Sequence, residues 1–374
     1  MAKHKGRGLA TIEYPTGMNQ SGDLCQSWIK LKHDGRVDVL SGTVDIGNGS
    51  KTAHRQIVAA ALGVPVDWVT VDVSDTDTSP WDTGTFASRC TFIGGNAVKI
   101  AAEQVRERVL EIAGEMLEVD PADLTIEDGI ITARGVPEKN TSVADVASSA
   151  TWRRDGELLA GKGTFVKPFA KILDQETGRI DRDPHAALSY GASVAEIEVD
   201  DETGEVRVER FIEAYDIGYA INPTIVEGQI QGGTMMGLGL ALLEASYPYY
   251  PSVEHRGYDF ATYAAPSMAD MPEIDFLTIE NPSAEGPYGA KACGEMANNG
   301  QGPSVAMAIH EAVGVWVTEL PLTPERVLRA LEKKAAGEDG PRIEGKWVIF
   351  DEELSINTVA APDAPVKFTL DASS

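Results

Sequence analysis

The stretch Gly42-Thr43-Val44-Asp45-Ile46-Gly47-Asn48-Gly49 separates a predicted strand from a predicted helix. Before it, residues 24–40 alternate between apolar and polar side chains around an Asp-Gly pair, which predicts a β-hairpin. After it, residues 48–62 are typical of a helix, because Gly63 and a nearby proline follow as stop signals. Residues 66–73 then predict a strand, so a hairpin, a glycine-rich turn, a helix and a strand follow in this order.

A second unit with the same order begins near residue 190. Residues 195–215 predict another hairpin, and Asn222-Pro223 has the character of a helix start. Two such units favour an α+β fold in two related lobes. The predicted division is a first lobe at 1–135, an irregular connecting segment at 136–189, a second lobe at 190–336 and a C-terminal tail at 337–374. Further predicted elements are helices over 97–117, 304–313 and 324–336, a hairpin over 124–132, and strands over 274–279 and 347–350.

The composition limits the classes of protein. The 374 residues contain 32 Lys and Arg against 58 Asp and Glu, a net charge of −26, which disfavours binding to nucleic acid or to an anionic membrane. No run approaches the ~20 apolar residues of a membrane span, and the first residues hold no apolar segment of signal-peptide length. The widely separated Cys25, Cys90 and Cys293 form neither a disulfide framework nor a CxxC site. We therefore expect a cytoplasmic protein.

Two turns before predicted helices have the composition of an anion-binding loop. In the stretch 42–49, glycines let backbone N–H groups approach a ligand, and the following helix start favours anionic groups. The second stretch, 84–91, is rich in hydroxyl and small side chains and leads to Gly94-Gly95-Asn96-Ala97-Val98. Tight turns with no ligand remain the alternative for both segments.

A third glycine-rich stretch runs from Gly228 to Gly239 inside a predicted helix. Its five glycines cost roughly 1 kcal/mol each relative to alanine. Such a cost is tolerated where another helix or a flat ligand packs against the backbone. Gln229 could use its amide on such a ligand.

A single carboxylate ends the loop Lys291-Ala292-Cys293-Gly294-Glu295. Glu295 has no basic residue within three positions and lies at the entrance to a predicted apolar helix. A carboxylate in so apolar a loop is a candidate base, although most loop glutamates are merely solvated.

Taken together, these segments resemble the xanthine dehydrogenase/aldehyde oxidoreductase family of molybdenum hydroxylases, over about residues 6–335. The match is to the C-terminal half of the family's molybdopterin-binding unit. Asn48 stands where the family usually has Gln, and Arg89-Cys90 places an uncommon charge and thiol beside the second loop. The matching segments are Asp45-Ile46-Gly47-Asn48-Gly49, Ala87-Ser88-Arg89-Cys90-Thr91 with Gly95-Asn96-Ala97-Val98, Asp216-Ile217-Gly218 with Asn222-Pro223 and Gly228-Gln229, Tyr263 with Pro266 and Pro272, and Lys291-Ala292-Cys293-Gly294-Glu295.

The resemblance implies a molybdenum atom that is held by the dithiolene of its pterin and by no protein side chain. It implies that Glu295 acts as a base on a hydroxide bound to molybdenum, so that an electron-poor carbon of an N-heterocycle or an aldehyde is hydroxylated. The pterin is expected to carry a cytosine dinucleotide. Matching cofactor-binding positions are Ile46, Gly47, Asn48, Ala87, Ser88, Arg89, Cys90, Thr91, Gln229 and Gly294.

The same resemblance implies partner subunits. An N-terminal-half molybdopterin subunit, a [2Fe–2S] subunit and an FAD subunit would complete the enzyme, which would act on a small molecule, bind no nucleic acid and have no membrane span. A non-catalytic cofactor-binding or assembly subunit is the alternative, and the glutamate at 295 favours the enzyme. A nucleotide-dependent dehydrogenase is disfavoured, because no strand–GxGxxG–helix unit is present.

Overall fold

The computed structural model describes residues 3–18, 23–72, 75–167, 185–245 and 259–338, and the backbone of two strands beyond them. The strands are β1 (Lys3–Thr16), β2 (Leu24–Leu31), β3 (Val37–Ser41), β4 (Val69–Asp72), β5 (Leu124–Glu127), β6 (Ile130–Ala133), β7 (Val136–Ser142), β8 (Ala160–Val166), β9 (Ala187–Asp200), β10 (Val206–Asp216), β11 (Glu273–Ile279), β12 (Lys346–Phe350) and β13 (Ile356–Ala360). The helices are α1 (Ser50–Leu62), α2 (Gly95–Leu117), α3 (Val143–Arg153), α4 (Pro223–Leu242), α5 (Gln301–Val313) and α6 (Pro324–Ala335).

The first sheet has the strand order β4-β3-β2-β8, and α1 and α2 cover one of its faces. Alternate strand residues such as Val37, Val39, Val69 and Val71 are buried under these helices. This period of two is what the sequence pattern predicted. The predicted hairpin at 24–40 is confirmed as β2 and β3.

The second sheet has the order β1-β9-β10-β11, with α5 packed on β1 and β9. Strand β1 pairs antiparallel with β9 along its whole length, from Lys3 opposite Asp200 to Thr16 opposite Ala187. The predicted division places these N-terminal residues in the first lobe, but their strand lies in the second sheet. Alternation in a sequence shows that a strand forms, and it does not show which strand becomes its partner.

Both sheets bring a helix unusually close to a strand by the same means. A Cβ atom at Gly163 of β8 would lie 1.8 Å from the carbonyl oxygen of Ala97 in α2. At Gly8 of β1 it would lie 1.9 Å from the carbonyl oxygen of Ser304 in α5. In each strand a second glycine two residues away meets the next helical turn in the same way. Only glycine allows this direct packing of a helix backbone on a strand.

The predicted irregular segment at 136–189 is wrong over its first part. It contains β7, α3 and β8, and β8 completes the first sheet. Helix α3 begins at Ser142, whose hydroxyl accepts a hydrogen bond from Asp145 N. Its buried residues Val143, Val146, Ala147 and Ala150 have the i, i+3, i+4, i+7 spacing of a helix, which the sequence prediction overlooked. Residues 168–184 of this segment, and 361–374 of the predicted tail, lie outside the described residues.

Mixed sheets with helices packed on them confirm the predicted α+β class. Helix α4 begins after Asn222, whose side chain accepts a hydrogen bond from Ile225 N, as the sequence predicted. The division into two lobes and a tail stays a prediction. Among the residues that the structure describes, no helix is long and apolar enough to cross a bilayer.

Candidate active site

Glu295 lies on a short turn that packs directly on α4. A Cβ atom at Gly233 would lie 2.6 Å from Ala297 Cβ, and one at Gly237 would lie 2.2 Å from Gln301 Oε1. The glycines of α4 therefore make room for the segment that carries Glu295, so a protein segment meets this part of the helix. Gly228 and Gly232 face open space instead.

A buried network of polar side chains also fixes the turn after Glu295. Gln301 Nε2 donates to the Ala297 carbonyl at 3.0 Å and to Glu213 Oε1 at 2.9 Å. Glu213 is fully buried and accepts further hydrogen bonds from Ser193 and Tyr215. Burial raises the pKa of the Glu213 carboxyl, and these three donors offset part of that rise.

Three hydrogen bonds join Glu295 to distant segments of the chain. Its Oε1 accepts from Ala87 N at 3.0 Å, and its Oε2 accepts from the hydroxyl of Tyr14. Its own N–H donates to Ser88 Oγ at 2.8 Å. Burial, together with the hydrogen bond to Glu295, raises the pKa of the Tyr14 hydroxyl, so Tyr14 remains a donor. The structure therefore brings together Ala87, Ser88 and Glu295, which are more than 200 positions apart in the sequence.

Arg89 holds the loop that carries Ala87 and Ser88. Its guanidinium is fully buried and bonds to Asp23 and to Asp82, with Nε–Oδ1 and Nη1–Oδ1 distances of 2.5 and 2.6 Å. Burial lowers the pKa of Arg89, and the two carboxylates more than offset this, so the pKa is raised and the group stays charged. Its other donors reach the carbonyls of Gly84 and Leu24.

The hydrogen bonds of Arg89 hold the loop of Ala87 and Ser88 in a strained backbone conformation. Ala87 and Ser88 have φ angles of 48° and 52°, a region that side chains other than glycine rarely adopt. The side chain of Arg89 points into the protein, so its role in this structure is to hold the loop.

The glycine-rich turn before α1 is capped by its own chain. Asp45 accepts hydrogen bonds from the N–H groups of Gly47, Gly49 and Lys51, at 2.9, 3.3 and 3.0 Å. The backbone N–H groups that were predicted to bind an anionic ligand therefore donate to the Asp45 carboxylate instead. Gly47 still faces open space, since a Cβ atom there would meet nothing within 4 Å. Ile46 is also exposed.

A cavity of about 80 Å³ lies beside this constellation. Gly294 sits between two polar groups of its wall: a Cβ atom there would lie 3.4 Å from Ser88 Oγ and 3.7 Å from Gln229 Oε1. The charge of Lys291 in the wall is compensated by Asp216, with an Nζ–Oδ2 distance of 2.7 Å. The donors that face the cavity are thus mainly neutral hydroxyls and amides. Polar side chains of the wall are Asn48, Ser88, Thr91, Tyr219, Asn222, Gln229 and Lys291.

The predicted site residues differ in their position relative to the cavity. Asn48, Ser88, Cys90, Thr91, Gln229 and Gly294 all line the cavity. Ala87 and Glu295 are joined to this group by hydrogen bonds, whereas Ile46, Gly47 and Arg89 do not line the wall. Larger surface depressions of about 900 and 560 Å³ contain none of the predicted residues.

Thiols and histidine at the site are uncharged. Burial raises the pKa of Cys90, and it raises the pKa of Cys293 to about 12, so neither is a thiolate at neutral pH. His54 is fully buried, and burial lowers the pKa of its imidazole. Its Nε2 lies 3.0 Å from the Cys90 carbonyl and must carry the proton, because a carbonyl only accepts. None of these three groups therefore brings a charge to the site.

Sequence reasoning missed Tyr14 and the Asp216–Lys291 ion pair. No element is predicted over residues 3–16, and Asp216 and Lys291 are predicted only as members of family motifs. Tyr14 follows the ordinary alternation of β1, and nothing in its neighbourhood marks it as a site residue. Its partner Glu295 is 281 positions away, so only the fold shows the contact.

Fold and site define an α+β protein that collects a carboxylate, hydroxyls and amides from three loops around one small cavity. Among known proteins, the family model of the molybdopterin cofactor-binding domain matches residues 1–272. The chain belongs to this family and is a xanthine dehydrogenase-family protein.

Individual relatives extend beyond this chain. The Escherichia coli K12 protein named "Probable hypoxanthine oxidase XdhD" is 35% identical over 334 residues, which are 88% of this chain and 32% of that protein. The nicotine 6-hydroxylase large subunit of Paenarthrobacter nicotinovorans is 33% identical over 305 residues, which are 81% of this chain and 36% of that subunit. The structure of quinoline 2-oxidoreductase from Pseudomonas putida 86 matches with a TM-score of 0.78 at 29% identity, covering 88% of this chain and 42% of that one. The chain thus spans about a third of the length of these curated relatives.

Proposed function

We propose that this chain is the molybdopterin-binding subunit of a multi-subunit molybdenum hydroxylase, with Glu295 as its base. One observation carries the proposal: the fold places a solvent-accessible carboxylate beside a cavity of neutral donors and fixes it by bonds from two other segments. A base held in one orientation removes a proton more effectively than a mobile one. Each carboxylate oxygen keeps a further acceptor position, so Glu295 can take up a proton without releasing Ala87 or Tyr14.

The residues of the cavity suit such a cofactor. Ser88, Thr91, Asn48 and Gln229 would hold the pterin and its phosphates through neutral hydrogen bonds, and the lack of a side chain at Gly294 keeps the space between Ser88 and Gln229 open. When bound, the cofactor would supply the hydroxyl group for the substrate and accept two electrons. The loop held by Arg89 would keep Ser88 and Ala87 in place while Glu295 accepts the proton.

The enclosed volume also supports a site that is shared with another chain. Pockets that enclose a small ligand measure about 300–1,000 Å³, and this cavity has about 80 Å³. This chain would therefore cover one side of the cofactor, and an N-terminal-half molybdopterin subunit would cover the other. We further propose a cytosine dinucleotide on the pterin, [2Fe–2S] and FAD on additional subunits, and a place for the complex in the cytoplasm.

The names of the relatives described above support an N-heterocyclic substrate. Nicotine and quinoline, which appear in two of these names, are both N-heterocycles. Hydroxylation of such a ring requires a carbon made electron-poor by the adjacent nitrogen. We therefore propose an N-heterocycle as the substrate class.

The test is Glu295→Gln in the complex isolated through a tag on this chain. Native mass spectrometry should find the same partner subunits and the same molybdenum content as in the wild type, while the turnover of N-heterocycles falls by a factor of about 10² or more. Glu280→Gln, in another exposed loop, is the matched control and should keep full activity.

Retained turnover in a molybdenum-replete Glu295→Gln complex would remove Glu295 from its role. Isolation of the wild-type chain only as a metal-free protein bound to a maturation factor would favour the assembly subunit instead.

A further inference from the structure

Tyr14 reaches the Glu295 carboxylate from the first strand of the second sheet. Its hydroxyl donates to Oε2, while Ala87 N donates to Oε1 at 3.0 Å. Both carboxylate oxygens are therefore held, each by a different segment. Of these two donors, Tyr14 is the one that a substitution can remove without changing the backbone.

The ring of Tyr14 is fixed by its surroundings. It is only 9% exposed and packs in a cluster with Ile12, Tyr215, Ile230 and Met296, the residue that follows Glu295. Close packing in this cluster leaves the ring little freedom to turn. Strand β1 is in turn paired with β9 along its whole length, so the hydroxyl is carried by a rigid element.

Ser88 fixes the backbone beside this carboxylate. Its Oγ accepts a hydrogen bond from Glu295 N at 2.8 Å. The backbone of Glu295 and both of its carboxylate oxygens are therefore held by hydrogen bonds with other segments.

We propose that Tyr14 is a positioning residue that holds Glu295 in the orientation in which it works as a base. The inference rests on the function proposed above. Without the hydroxyl, the Glu295 side chain would keep Ala87 as a partner at only one oxygen and would rotate more freely. Tyr14 would contact neither substrate nor cofactor, so it acts through Glu295 alone.

The experiment compares Tyr14→Phe with the wild-type complex by hydrogen exchange and by steady-state kinetics. Phenylalanine keeps the buried ring and removes only the hydroxyl. We expect the Ala87 amide, which Tyr14 does not bind, to exchange about 2- to 10-fold faster, because Glu295 no longer holds it steadily. We also expect kcat to fall about 10-fold, with KM and molybdenum content unchanged.

Tyr190→Phe is the matched control. Tyr190 lies on the neighbouring strand, in register with Glu13, and its side chain is half exposed. This variant should match the wild type in both measurements.

Two outcomes overturn the proposal. One is an unchanged exchange rate at Ala87 in Tyr14→Phe. The other is a wild-type kcat in Tyr14→Phe while Glu295→Gln is inactive, because the base then works without this donor. If Glu295→Gln itself stays active, the proposed function fails, and the exchange rate alone decides whether Tyr14 holds Glu295.

Discussion

Two charged residues near the site stabilise the fold through contacts within the chain. Arg89 and Asp45 both lie in segments that resemble cofactor-binding motifs, yet each uses its charge within the chain. Arg89 neutralises two buried carboxylates and fixes a strained loop, and Asp45 caps three N–H groups at the start of α1. The proposed cofactor would then meet neutral donors. This arrangement avoids an unpaired buried charge, which would be costly.

The buried imidazole of His54 predicts a pH dependence of stability. Burial lowers its pKa in the folded state, whereas the unfolded chain takes up a proton at about pH 6.5. Below that pH the unfolded state binds more protons, so stability is fully present above about 6.5 and is lost as the pH falls, by up to about 1.4 kcal/mol per pH unit. Between pH 7.5 and 5.5, the melting temperature of the wild type should therefore fall more than that of His54→Gln.

Other titrating groups are the same in both proteins, so they cancel in this comparison. Parallel melting curves over the whole pH range would show that His54 is protonated in the folded state as readily as in the unfolded one.

The close contact of helices with glycine-bearing strands predicts a clear effect on stability. In Gly163→Ala the new methyl group would meet the Ala97 carbonyl, and the helix or strand would have to shift. We expect a loss of about 1–3 kcal/mol in the free energy of unfolding. Gly232→Ala is the control, because a methyl group there would meet nothing within 4 Å and α4 would gain up to about 1 kcal/mol.

Denaturant unfolding of the two variants measures both changes. Equal stability of Gly163→Ala and the wild type would mean that α2 and β8 are packed more loosely than the structure shows.

Local patterns predicted most of the elements that carry the site. Alternation gave the hairpin of β2 and β3, and Asn222-Pro223 gave the start of α4. The failures have two causes. Helix α3 was overlooked, although its buried Val143, Val146, Ala147 and Ala150 stand at ordinary helical spacing. The pairing of β1 with β9 and the contact of Tyr14 with Glu295 depend on chain segments far apart, which no local pattern specifies.

For the candidate site, the sequence motifs indicated the loops better than the individual roles. Ser88, Gln229 and Gly294 do lie together, because their loops end at one cavity. Arg89 and Gly47 stand in the same motifs, but hydrogen bonds within the chain take up the Arg89 guanidinium and the Gly47 N–H group. A motif indicates which loop is involved, and only the packing of the chain shows which of its atoms face the cavity.

At the scale of the whole molecule, four exposed apolar side chains form a surface on the two loops that precede α1 and α2. Val44, Ile46, Trp81 and Phe86 are all exposed, with Ile46 at 71% and Trp81 at 65%. The two loops that carry them are joined by a hydrogen bond from Thr85 Oγ1 to the Val44 carbonyl at 2.6 Å. Groups of exposed apolar side chains are typical of surfaces that bind another protein. The proposed N-terminal-half subunit would cover this surface together with the cofactor.

Substitution of one indole side chain tests this role of the surface. Trp81→Ser should weaken the association with the proposed subunit, by about 2 kcal/mol or more for a central aromatic residue. That loss corresponds to a roughly 30-fold lower affinity. Trp152→Ser, which removes a similarly exposed indole (74%) from the end of α3, should leave the association unchanged. Quantitative native mass spectrometry of tagged complexes would give the fraction of this chain that carries the partner. Equal recovery from both variants would place the interface elsewhere on the chain, whereas selective loss in Trp81→Ser would locate it at this surface.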